Sequence, residues 1–149
     1  MLRLTVPVLV WSMFLTSAAA FGESQRWHKF SQDADLTYFI DNGSIMKTRA
    51  GTYIFWVKET PAKKDFLKNQ YKMDELDHVL FNYEIDCDKG IYKTRGIIYY
   101  DSKEEILDKQ IPLVTDMSDA EPIPPESVIE LAEDYVCPAA EEPSVQTQH

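Results

Sequence analysis

Behind an apolar leader the chain holds only two cysteines, Cys87 and Cys137, and no other residues restrict its fold so strongly. An exported protein matures under oxidising conditions, where two thiols without a competitor pair with each other. Cys87 falls at the end of a strand pattern and Cys137 at the end of a helix pattern, so the expected bridge ties a strand end to a helix end. Closing a loop of about 50 residues contributes roughly 4 kcal/mol in the chain-entropy picture, a large share of a small domain's net stability.

The leader has the three parts of a secretory signal: Arg3, an apolar run from Leu4 to Leu15, and the small residues Ala18-Ala19-Ala20. Cleavage is expected after Ala20. The run is shorter than the roughly 20 residues that span a bilayer, and Pro7 interrupts it, so no transmembrane segment is expected after cleavage. No cysteine lies near the cleavage site to carry acyl chains. The product is therefore expected without a lipid anchor, in the periplasm or at the outer surface or beyond. Three segments result: a signal peptide over 1–20, one domain over 21–138, and a disordered polar tail over 139–149.

The whole chain carries a formal net charge of −10. Such a body repels nucleic acid and anionic membranes, and neither is expected as a partner.

From Trp27 to Tyr100, short β-branched and aromatic runs alternate with turn residues, which predicts an antiparallel sheet. Leu36 to Asp41 reads as a strand, Asp41-Asn42-Gly43-Ser44 as a turn, and Ser44 to Lys47 as a short return. After a turn at Ala50-Gly51, Thr52 to Glu59 places Tyr53, Phe55 and Val57 on one face and Ile54 and Trp56 on the other. Two apolar faces mean a central strand, or else a second face used for binding. Thr60 to Lys72 is a long connection with room for a helical turn. Val79, Phe81, Tyr83, Ile85 and Cys87 then share one face of the next strand. Asp88-Lys89-Gly90 turns the chain, and Ile91 to Asp101 runs back with Gly96 as a candidate bulge.

Ile106 to Thr115 is expected as an edge strand and Asp116 to Pro125 as an extended connector. Pro125 is placed to open a helix whose apolar stripe is Val128, Leu131, Ala132, Tyr135 and Val136. Pro138 ends it. The fold class is α+β, with this helix packed on one sheet face and tied there by the disulfide.

No catalytic scaffold emerges. His28, His78 and His149 do not fall at metal-ligand spacing, so no metal or other cofactor is expected. Asp86, Asp88 and Gly90 imitate the start of a calcium loop but lack its later oxygen ligands, and a hairpin turn accounts for them. No phosphate cradle or nucleophile elbow occurs, and the chain is not expected to be an enzyme. Two candidate partner surfaces remain. Lys58, Lys63, Lys64, Lys68 and Lys72 form a basic stretch in an acidic body, either a patch for an acidic partner or glycan or a solvated loop. Phe39 and Trp56 fall opposite the helix side, as an exposed aromatic surface or as a second core layer.

In order and spacing, several motifs resemble the bacterial surface-adhesin protein E family. They are Trp27, Tyr38-Phe39-Ile40-Asp41, Ser44-Ile45, Phe55-Trp56-Val57-Lys58, Tyr83-Glu84-Ile85-Asp86-Cys87, Tyr92, Pro122-Ile123-Pro124-Pro125-Glu126-Ser127 and Val136-Cys137. The resemblance implies about six antiparallel strands, a C-terminal helix held by a disulfide, and a non-enzymatic binding module of the cell envelope. Pathogen members capture host matrix or plasma proteins, so a protein partner is implied. The chain departs from anchored adhesins in lacking a lipid-attachment cysteine, and Asp119-Ala120-Glu121 stands where an aromatic residue is expected. The competing expectation is a soluble periplasmic accessory protein with no adhesive role.

Overall fold

Residues 26–112 and 116–138 are described by a computed structural model. The expected signal peptide over 1–20, the expected tail over 139–149 and the far end of the expected Ile106–Thr115 strand lie outside them. The elements run β1 (Trp27–Gln32), β2 (Leu36–Asp41), β3 (Met46–Lys47), β4 (Tyr53–Pro61), α1 (Phe66–Tyr71), β5 (Leu76–Asp86), β6 (Ile91–Asp101), β7 (Ile106–Gln110), β8 (Glu121–Pro122) and α2 (Val128–Val136). The six longer strands form one antiparallel path, β1-β2-β4-β5-β6-β7, and the two-residue strands β3 and β8 extend it beside β4 and β6.

Alternation along these strands sorts the side chains onto two faces. One face gathers Ile40, Phe55, Val57, Tyr83 and Ile85 under α2, which contributes Ile129, Ala132 and Val136. Further along the same face, Leu36, Tyr38, Leu76, Val79 and Tyr99 meet Leu67 of α1. Register explains how Tyr99 reaches this side. Tyr83 pairs with Thr94 but Asn82 with Gly96, so Arg95 is an extra residue on β6 and inverts the alternation beyond it. The expected bulge is present; its inserted residue is Arg95.

Cys87 and Cys137 are bonded, with Cα atoms 5.9 Å apart and 50 residues between them in sequence. The bridge joins the chain just past β5 to the C-cap of α2. At the other end of α2, the Ser127 hydroxyl accepts from the Glu130 N–H at 3.2 Å, and the Glu130 carboxylate accepts from the Glu126 N–H at 2.7 Å. This reciprocal cap corrects the expected start at Pro125. Glu126 sits at φ 59, outside helical geometry, and the helix begins at Val128 once Ser127 satisfies the first-turn donor. The expected stripe also turns by one position: Ile129, Ala132 and Val136 are buried, whereas Leu131 and Tyr135 are exposed.

A short 3-10 turn over Asn42–Ser44 replaces the beginning of the expected Ser44–Lys47 return. Asp41 accepts from the Gly43 N–H at 3.0 Å, and the Ser44 hydroxyl donates to the Asp41 carbonyl while accepting from the Trp56 N–H at 2.9 Å. Ser44 thereby satisfies a β4 donor where the β2 pairing has run out. The connector after residue 115 is pinned as well: buried Lys93 donates to the Asp116 carbonyl at 2.7 Å and to Asp119 at 2.5 Å, and β8 pairs with β6.

One acid lies within the covered layer. Glu59 faces Tyr38 across the β2–β4 pair and is 8 % exposed. Burial first, and then the charge of Asp33, push its carboxyl up to about 7. Between 4.5, its ordinary value, and 7 the native state therefore holds a proton that the unfolded chain releases. Its stabilising contribution is full below that window, declines across it, and is lost above it.

Two outcomes follow. Replacing both cysteines by serine should lower unfolding free energy by roughly 4 kcal/mol in urea titrations, and a loss below about 1 kcal/mol would show that the bridge constrains little. Glu59→Gln should raise stability by as much as about 3 kcal/mol near pH 8 and change it little near pH 4. An equal change at both pH values would place the cause elsewhere than in ionisation.

Candidate functional site

The opposite face of the sheet carries no helix among the described residues. Cross-strand partners share a face, so the registers assemble Lys29, Phe39, Lys58, Leu80, Ile98 and Lys109 into one row that crosses all six strands. A parallel row contains Trp27, Asp41, Trp56, Asn82 and Gly96. Phe39, Trp56 and Lys58 are half-buried, because neighbours on the same face shield their flanks while their outer surfaces meet solvent.

Lys58 organises the β1 side of this face. Its Nζ lies 4.6 Å from the Trp27 ring centroid and 5.7 Å from that of Phe39, so two π faces hold the ammonium group. No carboxylate reaches Lys58 within ion-pair distance among the described residues. Across the row, His78 stacks on Tyr100 with centroids 5.0 Å apart, and Glu104 approaches the His78 Nε2 at 3.6 Å. Between these groups lies a concavity of about 730 Å³, floored by Leu80 and open to solvent.

The two buried acids on this face, Asp41 and Glu84, are already occupied. Asp41 is 1 % exposed and receives the Arg26 guanidinium at 2.9 and 2.6 Å. Glu84 is buried, accepts from the Thr52 hydroxyl at 2.6 Å and pairs with Arg95. Neutralising these two carboxylates leaves Lys29, Lys58 and Lys109 as the dominant charges of the central row.

The basic stretch read from the sequence does not form one patch. Lys58 points from β4 to the open face, together with Phe39 and, two residues along the strand, Trp56. Lys63 and Lys64 lie in the turn before α1, Lys68 is on α1, and Lys72 caps it at φ 59. Because α1 packs through Leu67 on the covered face, Lys68 belongs to the far side of the sheet. Lys63 and Lys68 also meet Asp35 and Asp65, each at 3.9 Å. Sequence reasoning missed His78, Tyr100 and Glu104, which line the concavity with Lys58, and Lys29 and Lys109, which share its row. Strand alternation could have placed His78 and Leu80 together, but the β6 bulge hides the side taken by Tyr100.

The arrangement defines a class of protein: a disulfide-tied α+β domain whose sheet is covered on one side and presents a cationic, aromatic surface on the other. The surface-adhesin protein E profile matches residues 27–138, and the chain belongs to that family. No curated protein and no solved structure gives a significant match.

Trp27 and Trp56 both occupy the open face, and the remaining tryptophan, Trp11, lies outside the described residues. Intrinsic fluorescence of the domain therefore reports on this surface. Lys58→Met should alter the emission by removing the cation over Trp27 while changing stability by no more than about 1 kcal/mol. An unchanged spectrum would contradict the Lys58–Trp27 contact.

Proposed function

We propose that the protein is an exported, non-enzymatic binding module of the bacterial cell envelope that captures a macromolecular partner on its uncovered sheet face. The observation that carries this reading is the asymmetry of β4. Phe55 and Val57 are sealed under α2, whereas Trp56 and Lys58 meet no covering element among the described residues. Large aromatics beside a fixed cation provide contact area at little ordering cost, the usual composition of an interface centre. Family membership supports the adhesive reading, and host matrix or plasma proteins are the partners it favours.

The groups with shifted ionisation do not suggest catalysis. Glu59 is enclosed by tyrosines on the covered face, without a nucleophile beside it among the described residues that a raised carboxyl could serve.

The test uses the exported chain on immobilised matrix proteins and intact cells probed for surface exposure. Phe39→Ser with Trp56→Ser should reduce capture at least about tenfold, the effect of losing two interface anchors, while Lys63→Gln with Lys64→Gln leaves it intact. Capture that survives the first pair and disappears with the second would move the docking surface to the α1 side.

A further inference from the structure

We infer that the ligand of the open face is an acidic polysaccharide, a chain of sugar rings bearing carboxylate or sulfate groups, lying across the strands along the Lys29–Lys58–Lys109 row. This rests on the proposal that the face is the docking surface, and it specifies the chemistry of the partner.

The row supplies charge at intervals. Adjacent strands are about 4.8 Å apart, so Lys29 and Lys58 stand roughly 10 Å apart and Lys58 and Lys109 roughly 14 Å apart. None of the three meets a carboxylate within ion-pair distance among the described residues, whereas Lys63, Lys68, Lys89 and Lys93 each do. Phe39 fills the first interval, and Leu80 and Ile98 the second. A cation, an apolar floor and another cation match a chain of rings whose flat C–H faces rest on side chains while its anionic substituents project at the edges. Trp27 and Trp56 in the adjoining row extend that floor. Asn82 commits its amide Nδ2 to the Phe55 carbonyl at 3.1 Å, which fixes its orientation beside them.

Two other anionic polymers fit less well. A nucleic-acid strand stacked in a helix carries a charge about every 3.4 Å along the axis, denser than the intervals of roughly 10 and 14 Å in this row. An acidic peptide bound by strand addition would dock on the free edge of β1 or β7 and run along that strand, not across the Lys29–Lys58–Lys109 row. Glu104 and Asp77, whose carboxylates approach the two ring nitrogens of His78 at 3.6 and 3.0 Å, are acids that oppose the assignment, with 77 % and 51 % of their side chains exposed.

The experiment titrates the exported chain with a hyaluronan dodecasaccharide, which carries one carboxylate on every second sugar ring, and follows tryptophan emission at low and moderate salt. The controls are a neutral dextran oligosaccharide, a polyglutamate peptide and a single-stranded oligonucleotide. The dodecasaccharide should bind in a salt-dependent way and change the emission. Lys29→Gln with Lys109→Gln, both at exposed positions, should weaken binding about tenfold or more. Glu104→Gln should tighten it, and Lys63→Gln with Lys64→Gln and Lys72→Gln should leave it unchanged. Absence of dodecasaccharide binding, equal binding of polyglutamate or oligonucleotide, or loss in the α1-side variant alone would overturn the inference.

Matrix proteins stripped of glycans separate this inference from the docking proposal. Retained capture, lost in the Phe39 and Trp56 variant, would sustain the docking face and overturn the glycan assignment. Capture that disappears with the glycans supports a protein-attached source. If neither intact nor stripped matrix is captured but the dodecasaccharide binds along the row, the inference holds for free polysaccharide and capture of matrix proteins falls.

Discussion

The covering helix is too short to secure its own place. At a rise of about 1.5 Å per residue, nine residues give α2 a length near 13 Å, against roughly 24 Å for six strands side by side. Isolated helices of this size are marginal in water. The Cys87–Cys137 bond holds one end, the Ser127–Glu130 cap ends the fraying at the other, and three buried residues provide the contact between. Coverage of the rest of that face falls to α1, which is shorter still and inserts Leu67. The domain thus closes one side of its sheet with two small pieces. Neither could do so without the tie or the tyrosine-rich layer around Glu59.

No described helix covers the other side, and its chemistry is consistent with staying open. A large bare apolar surface would invite aggregation, but here lysines interrupt the apolar positions along the central row. The buried acids bond to Arg26, Arg95 and Thr52 and do not cancel those lysines. Lateral packing shields much of each aromatic ring. A surface of this type remains soluble alone and still has apolar area to lose on contact, which makes covering it favourable for a partner with complementary charge.

Much of this architecture is written locally. The alternation from Val79 to Cys87 aims the cysteine at the covered face, and the second apolar face of Thr52–Glu59 marks a central strand with an aromatic outer side. Local pattern was weaker where hydrogen bonding, not hydrophobicity, decides position. Ser127 displaces Pro125 as the start of the final helix because its hydroxyl reaches a backbone donor, and Ile129 takes the buried position from Leu131 as the stripe rotates. The lysines between residues 58 and 72 are neighbours in sequence yet split between faces, since the chain turns through α1 after β4. Conversely, Lys29, Lys58 and Lys109 come from three distant strands and carry no shared signal. Only the pairing registers unite them.

The Arg95 bulge shows how one extra residue serves both faces. Without it, Tyr92, Thr94, Gly96, Ile98 and Tyr100 would share a side, and Tyr99 would point away from α1. With it, Tyr99 packs against Tyr71 with centroids 5.3 Å apart, while Ile98 and Tyr100 turn to the open face. Arg95 itself reaches Glu84 and neutralises a carboxylate on the open face, next to the Trp56–Asn82 row. Gly96 then sits across from Asn82 with no side chain of its own. A Cβ there would make only ordinary contact with the Gln110 carbonyl at 3.6 Å, so neither crowding nor backbone strain demands the glycine. What the missing side chain does is leave the end of the Trp56–Asn82 row low, with the Ile111 side chain standing 3.7 Å from the place a Cβ would take.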